Sequence, residues 1–364
     1  GDANGDTGAG PYLPAAEDNT DVTVMSYSNG SAGALGGYSP LDTAALQYLY
    51  GAAPTVNAGD SRYVLSDSRS AMISDGAGID TLDGSQLAQP LTLNLAPGYW
   101  GHVGAKADTI TSPGQVTVNF GSVIENALGG AGADLIVGNS AANDIGGGAG
   151  DDLLEGAGGN DTLRGELGND RLRGGSGDDR LDGGAGVDTA VYDGKGAAFS
   201  VTHTGAGWIV SDSTAGEGSD SLSDVERLVF ADGALALDVD GIAAQAYRVY
   251  TAAFDRAPDP GGLGFWIDRM DKGVSLLDVA TGFTRSDEFT AMYGASPSAE
   301  NFLSKLYQNI LHRTPDQGGY DFWVNAMHNG ASEGLVLSLF SDSAENQAQV
   351  IGSIEHGIGY VAFG

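Results

Sequence analysis

The chain of 364 residues has no cysteine and only 16 Lys and Arg against 48 Asp and Glu. Absent cysteine excludes disulfides, thiolate zinc sites and cysteine nucleophiles. A formal net charge of −32 sets the surface against nucleic acid and anionic membranes, which repel it. No apolar run reaches the ~18 residues of a membrane span. The amino end, GDANGDTGAG, lacks the basic and apolar stretches of a signal peptide. Histidine is scarce: His102, His203, His312, His328 and His356 are the whole set, and no two stand four apart. No Lys, Arg, Tyr and acidic set clusters in the manner of a polysaccharide lyase. Glycine is what the chain has in excess, with 59 residues. The length alone implies about two or three domains.

Between Gly129 and Val191 the glycine is periodic. Seven consecutive nine-residue units read GGAGADLIV, GNSAANDIG, GGAGDDLLE, GAGGNDTLR, GELGNDRLR, GGSGDDRLD and GGAGVDTAV. Each approximates Gly-Gly-x-Gly-x-Asp-x-apolar-x. The first six positions are expected to turn tightly, because glycine accepts positive φ, and to aim carbonyl oxygens at a cation. Position six holds Asp134, Asn143, Asp152, Asp161, Asp170, Asp179 and Asp188. Calcium takes six to eight hard oxygens at about 2.3–2.6 Å, which carbonyls and a carboxylate from two stacked turns supply. Position eight holds Ile136, Ile145, Leu154, Leu163, Leu172, Leu181 and Ala190, a thin inward ladder. Successive turns alternate sides, so units one, three, five and seven stack together and two, four and six together. A disordered glycine-rich linker would not keep seven units in register. The pattern resembles the calcium-binding nonapeptide of RTX proteins, which builds a parallel β-roll. Without a cation the carboxylates repel one another, so folding is expected to be coupled to calcium. A chain that folds only at extracellular calcium fits bacterial type I secretion to the medium or cell surface. The end HGIGYVAFG is compatible with a C-terminal secretion signal or with a plain tail.

Two stretches near the start, NTDVTVMSY (Asn19–Tyr27) and YSPLDTAALQYLYGA (Tyr38–Ala52), resemble serralysin-type zinc metalloproteases just after their zinc helix. The resemblance makes Met25 the residue of the turn beneath the zinc and Tyr27 a zinc-binding tyrosine. The second stretch reads as a helix. Ser39 is its N-cap, Pro40 its first residue, Leu41, Ala45, Leu46 and Leu49 its apolar face, and Gly51 its stop. A metzincin needs H-E-x-x-H-x-x-G-x-x-H to hold zinc and supply a general base, and this chain does not contain it. The expectation is either a piece of a longer protease or a relative without the catalytic half, with Zn²⁺ only if that half is present, and Met25 and Tyr27 as core residues here.

The resemblance continues through GAGIDTLDGS (Gly76–Ser85) and SVIENALGGAGADLIVGNSAAND (Ser122–Asp144). It implies a ligand set. Carbonyls at positions two and four and the side chain at six bind one ion together with positions one, three and six of the turn two units later. That names Gly130, Gly132 and Asp134 with Gly147, Ala149 and Asp152, and on the other side Asn139, Ala141 and Asn143 with Asp161. Down the roll it names Gly148, Gly150, Ala157, Gly159, Gly165, Gly168, Asp170, Gly175, Gly177, Asp179 and Asp188. Upstream, Gly59, Ser61, Asp75, Ala77, Gly78 and Asp80 align with a further family site, and Glu125 with another. Asn57 stands where the family can have Arg. Asn143 is neutral and Ala141 replaces glycine, so that site is expected to be weaker. Ala157 and Glu166 replace the second glycine, which a carbonyl ligand tolerates. After Val191, FSVTH and WIVSD read as a hairpin, and Gly216–Asp238 resembles a degenerate closing strand pair, needed because an open last turn exposes its edge. Asp220 and Asp224 offer carboxylates that calcium could take, and the favoured reading places them in a solvated loop.

Composition shifts near Gly241. YTAAFDRAPDPGGLGFW (Tyr250–Trp266) recurs 57 residues later as YQNILHRTPDQGGYDFW (Tyr307–Trp323). Ala246, Val249, Tyr250, Ala253 and Phe254 follow a helical stripe. Each copy reads as a helix, an R-x-P-D-x-x-G-G turn, a helix carrying Phe-Trp, and one or two shorter helices. The turn's Asp is expected to cap the next helix and to pair with Arg, and the Trp to pack between helices. This resembles a helical domain of unknown function found in RTX proteins, a docking surface for self-association, protein or polysaccharide. The expected fold is therefore mixed. Residues 1–56 are a Met-turn and helix segment, 57–240 a calcium-binding parallel β-roll with a degenerate cap, and 241–364 an all-α duplicated domain. The expected function is that of a secreted calcium-binding structural, adhesion or assembly module, or of the noncatalytic portion of a secreted serralysin-like protease.

Overall fold

The structure is a computed structural model that describes residues 57–205, 207–214 and 216–363, together with Ala45 and Leu46. Met25, Tyr27 and most of the expected first helix lie outside the described residues. Ala45 and Leu46 are helical. The chain divides into two compact units, one of residues up to Val191 with Thr204–Asp224, the other of Tyr192–His203 with the residues from Val225 onward.

The first unit is a parallel β-roll. One stack runs through Arg62–Val64, Thr81–Asp83, Asn126–Leu128, Asp144–Ala149, Thr162–Leu167, Arg180–Ala185 and Ser219–Ser223, all parallel. The facing stack runs through Leu91–Asn94, Leu135–Asn139, Leu153–Gly158, Arg171–Ser176 and Thr189–Val191. Even units fall in the first stack and odd units in the second. The register places Leu82, Ala127, Ile145, Leu163, Leu181 and Leu222 in one column and Leu93, Ile136, Leu154, Leu172 and Ala190 in the other. Every one of these side chains is at most 2% exposed. One apolar residue per turn per side thus makes the core of the regular repeats, and each buried leucine contributes roughly 1.5–3 kcal/mol. Before the repeats the roll is irregular. Leu91–Asn94, Trp100–Val103 and Gln115–Val118 form an antiparallel meander, and Ala71–Ile73 pairs in parallel with its last strand.

The second unit contains eight helices among the described residues: α1 (Ile242–Phe254), α2 (Pro260–Asp271), α3 (Leu276–Thr284), α4 (Asp287–Tyr293), α5 (Ala299–Leu311), α6 (Gln317–His328), α7 (Glu333–Ser341) and α8 (Ala344–Ile354). Each of the last four begins 57 residues after its counterpart. The duplicated caps explain the repeat. Asp259 and Asp316 accept the N–H of Gly262 and Gly319, and Ser275, Ser286, Ser332 and Ser343 cap the shorter helices. Trp266 packs on Phe283 at 5.2 Å and Trp323 on Phe340 at 5.3 Å. The arginine of the first copy differs from expectation. Arg256 pairs with Glu288 at 2.8 Å instead of Asp259, whose carboxylate already accepts from Tyr250 Oη and the Gly262 N–H. Arg313 pairs with Glu345 at 2.7 Å and reaches Asp316 at 3.7 Å. A hairpin of Arg227–Phe230 and Gly233–Ala236 precedes α1, and Ile358–Tyr360 adds a third, antiparallel strand.

Candidate metal-binding site

In the regular repeats each strand runs from position seven to position three of the next unit, as Asp144–Ala149 does. The turn is therefore shorter than the six residues expected, because the parallel ladder reaches into positions one to three. From the third unit onward positions two and four have positive φ, for example Gly148 (+106°) and Gly150 (+117°). Ala157 (+77°) and Glu166 (+75°) adopt it without being glycine. Position one is a buried glycine in every unit.

Position six is buried throughout. Asp134, Asn143, Asp152, Asp161, Asp170, Asp179 and Asp188 are all 3% exposed or less. Asp134 accepts backbone N–H groups on both oxygens, from Leu91 and Gly130, and each later carboxylate accepts one on Oδ1. The N–H of Asp134 donates to Asp152 Oδ1 at 2.7 Å, Asn143 to Asp161 at 2.7 Å, Asp152 to Asp170 at 2.8 Å, Asp161 to Asp179 at 2.8 Å and Asp170 to Asp188 at 2.7 Å. The other oxygen is different. Oδ2 of Asp80, Asp152, Asp161, Asp170 and Asp179 is buried with no hydrogen-bond partner among the described residues. Leaving a buried carboxylate oxygen unpaired is costly, and a cation removes the cost.

The position-one glycines show where these oxygens converge. A Cβ on Gly156 would lie 2.2 Å from Asp161 Oδ2 and 2.6 Å from the Gly174 carbonyl of the unit stacked on it. On Gly165 it would lie 2.2 Å from Asp170 Oδ2 and 2.5 Å from the Gly183 carbonyl. Carboxylate and carbonyl oxygens of two turns thus face one bare strip, and this donor set fits calcium, which prefers hard oxygens in irregular geometry. A Cβ on Gly147 would likewise lie 2.2 Å from Asp152 Oδ2 and 3.0 Å from the Gly165 carbonyl, while one on Gly159, Gly168, Gly175 or Gly177 would meet a carbonyl of the turn two units earlier. No three His, Asp or Glu side chains converge among the described residues, so any ion here draws on backbone carbonyls.

Burial dominates the electrostatics. It pushes Asp152 and Asp161 up to about 7, against the favourable backbone hydrogen bonds that they accept. Asp134, Asp170 and Asp179 are raised for the same reason. At the second unit the chemistry changes. Asn143 Nδ2 donates to the Glu125 carbonyl at 3.0 Å, and Asn139 Nδ2 to the Ile124 carbonyl at 2.7 Å. Amide N–H groups there already satisfy carbonyls, beside Ala141.

The upstream residues extend the same ladder. Ser61 N–H donates to Asp80 Oδ1 at 2.8 Å and Asp80 N–H to Glu125 Oε2 at 2.8 Å. Burial raises Asp80 to about 6, with Asp75 and Glu125 adding repulsion. Asp75 is fully buried, accepting from Tyr63 Oη at 2.5 Å and from the Ala77 N–H at 3.2 Å. Gly78 has φ +141°, and a Cβ on it would lie 2.8 Å from the Gly59 carbonyl. Asn57 Nδ2 bonds Tyr63 Oη and the Ser74 carbonyl.

Two features escaped the sequence reading. Position five builds a second ladder outside the first: Asn169 N–H donates to Asp151 Oδ1 at 2.8 Å, and Val187 N–H to Asn169 Oδ1 at 2.9 Å. The recurrence of Asp and Asn at position five was its signal. Asp220 was placed in a solvated loop but lies in the strand Ser219–Ser223, 2% exposed, because its segment pairs with the roll. Asp224 is exposed, as expected of a loop.

Residues 121–154 and 155–190 match the RTX calcium-binding nonapeptide repeat (4 copies), and residues 244–292 and 280–350 match a domain of unknown function, DUF4214. Similar curated proteins include the metallopeptidase AprA of Pseudomonas marginalis, 36% identical over 167 residues that cover 38% of this chain and 34% of that protein. Serralysin G of Dickeya chrysanthemi is 37% identical over 144 residues, 34% of this chain and 29% of its own length. Serralysin of Proteus mirabilis is 37% identical over 163 residues, 37% and 32% respectively. The chain spans about a third of the length of the curated relatives it matches. It carries a calcium-binding RTX repeat region, homologous to a part of the serralysin metallopeptidases, followed by a DUF4214 domain.

Proposed function

We propose that this chain is a secreted module whose β-roll folds around calcium outside the bacterial cell and then acts in structure, adhesion or assembly. The observation that carries it is the row of buried carboxylate oxygens without partners, which at Asp152, Asp161 and Asp170 stand beside carbonyls of the next stacked turn. The proposed ligands are position six with the carbonyls of positions one to four from Gly130 to Asp188, and upstream Gly59, Ser61, Asp75, Ala77, Gly78, Asp80 and Glu125. We assign the roll to 57–240 and the helical domain to 241–364. Type I secretion supplies a route that keeps the chain unfolded until calcium is met. The helical domain is the docking surface for a second copy, a protein or a polysaccharide.

The serralysin homology favours a second reading, in which this is the noncatalytic portion of a zinc metallopeptidase. Zinc and proteolysis then belong to a part of the protein before Met25, and the roll serves folding, export and substrate capture. Calcium titration followed by circular dichroism and light scattering tests both. A coil-to-β transition near 10⁻⁴–10⁻³ M, an order-of-magnitude range typical of extracellular sites, with a monomeric particle supports the protease portion. The same transition with growth into ordered polymers supports an assembly module. No transition removes the calcium reading.

A further inference from the structure

The two copies in the helical domain diverge at a junction that the duplication makes comparable. α8 stands in the second copy where α4 stands in the first, and each packs against both α1 and α5. α4 fills its side of the junction. Phe289 and Tyr293 stack at 4.2 Å and are at most 5% exposed, and Asn309 Nδ2 of α5 donates to Tyr293 Oη at 3.2 Å. The equivalents of Phe289, Met292 and Tyr293 in α8 are Asn346, Gln349 and Val350. All three line a cavity of about 250 Å³ between α1, α5 and α8, a volume suited to one small ring.

The cavity has a buried apolar base and polar walls. Ala252 and Ile310 are buried at its base, and Tyr247 adds a half-buried ring. Asn346 Nδ2 donates to the Ser341 carbonyl at 2.7 Å, which fixes that amide. Asp255 and His312, the C-caps of α1 and α5, line the cavity from the two helix ends. Their backbones are left-handed, at φ +49° and +47°, where glycine is the less costly residue. The chain places an exposed carboxylate and an exposed imidazole there instead. Charge at the site disfavours anions. The carbonyl ends of two helices carry partial negative charge, and Asp255 adds a full one. The guanidinium of Arg256 is engaged by both oxygens of Glu288, at 2.8 and 3.0 Å.

We infer that this cavity holds one ring of a neutral carbohydrate. A sugar hydroxyl donates and accepts at once, which matches walls of amide, hydroxyl and imidazole. A carboxylate accepts two neighbouring hydroxyls, the part that Asp255 plays. The apolar C–H face of a sugar ring suits the Tyr247 ring. The inference rests on the reading of the helical domain as a docking surface, commits that surface to carbohydrate, and is independent of calcium in the roll.

Isothermal titration calorimetry of the full chain in calcium tests it, with maltohexaose, cellohexaose and mannohexaose as neutral probes and polygalacturonate as the acidic one. At least one neutral probe is expected to bind saturably at one site per chain, and polygalacturonate not to bind. Asp255→Gly removes the carboxylate where glycine suits the backbone. It is expected to melt no lower than wild type and to bind the neutral probe about tenfold more weakly. Gln349→Met with Val350→Tyr installs the side chains of α4 and is expected to abolish binding; if it does not fold, Asp255→Gly decides alone. Wild-type affinity in the folded variants, or tighter binding of polygalacturonate, overturns the inference and leaves the domain a docking surface. Failure of every neutral probe also overturns it. Light scattering on the same samples then separates the two readings: growth of the particle with protein concentration keeps the docking surface with a second copy as its occupant, and no growth removes that occupant too.

Discussion

At Ala157 and Glu166 the roll forces a side chain into the left-handed region, at φ +77° and +75°. Other regular units place glycine there. The left-handed conformation costs an L-residue about 1–2 kcal/mol, while glycine gives back about 0.5–1 kcal/mol through the freedom of its unfolded chain. Ala157→Gly and Glu166→Gly are each expected to stabilise the calcium-loaded roll by up to about 1 kcal/mol. Denaturant melts at saturating calcium check this, and a lowered midpoint in both variants would count against the φ assignment. The carboxylates make the opposite demand. Asp152 is 2% exposed with an unpaired Oδ2, whereas Asp224 is exposed. Asp152→Ala is therefore expected to raise the calcium midpoint of folding several-fold, and Asp224→Ala to leave it unchanged. Equal midpoints would remove the position-six ladder from the account.

Among the elements, α2 and α6 show how a duplication diverges. The C-terminal strand covers α2: Val361 N–H donates to the Pro260 carbonyl at 3.0 Å, and Phe363 meets Phe265 at 5.2 Å. That approach needs Gly264, where a Cβ would stand 1.9 Å from the Val361 carbonyl. The equivalent residue of α6 is Asp321, and its neighbour Phe322 is 63% exposed. Gly264→Val is expected to cost about 1–3 kcal/mol and to release Ile358–Tyr360. Hydrogen exchange would show lost protection at 358–361 with α5 and α7 still protected; an unchanged strand would mean that the close approach has slack. The helices themselves were legible because caps and apolar stripes are local, and they recur with the 57-residue offset. The strand's partner was not, since nothing local in IGYVAF specifies Gly233–Ala236. In the roll the apolar column was legible wherever the nine-residue phase held. Leu82, Leu93, Ala127 and Leu222 continue it where the phase is broken, and only the stacking reveals them. Carbonyl donors are invisible to sequence except through the glycines that let two turns approach.

For the whole molecule, a net charge of −32 and buried carboxylates make protons and calcium competitors. Burial raises Asp152 and Asp161 to about 7, above their unfolded value of 3.8. Between those values the metal-free fold binds more protons than the unfolded chain. Its stability from these groups is full below the unfolded pKa and is lost as pH rises through about 7. Calcium requires the ionised carboxylates and so reverses the sign. With chelator present, the β-signal is expected to grow as pH falls from about 8 to about 5. With calcium held near its midpoint, the bound fraction is expected to fall over the same range, because each proton taken up by Asp152 or Asp161 removes a ligand charge. Circular dichroism across that range, with and without calcium, reads both arms. A metal-free chain that loses β-structure on acidification would show that these carboxylates are not buried as the stacked turns place them.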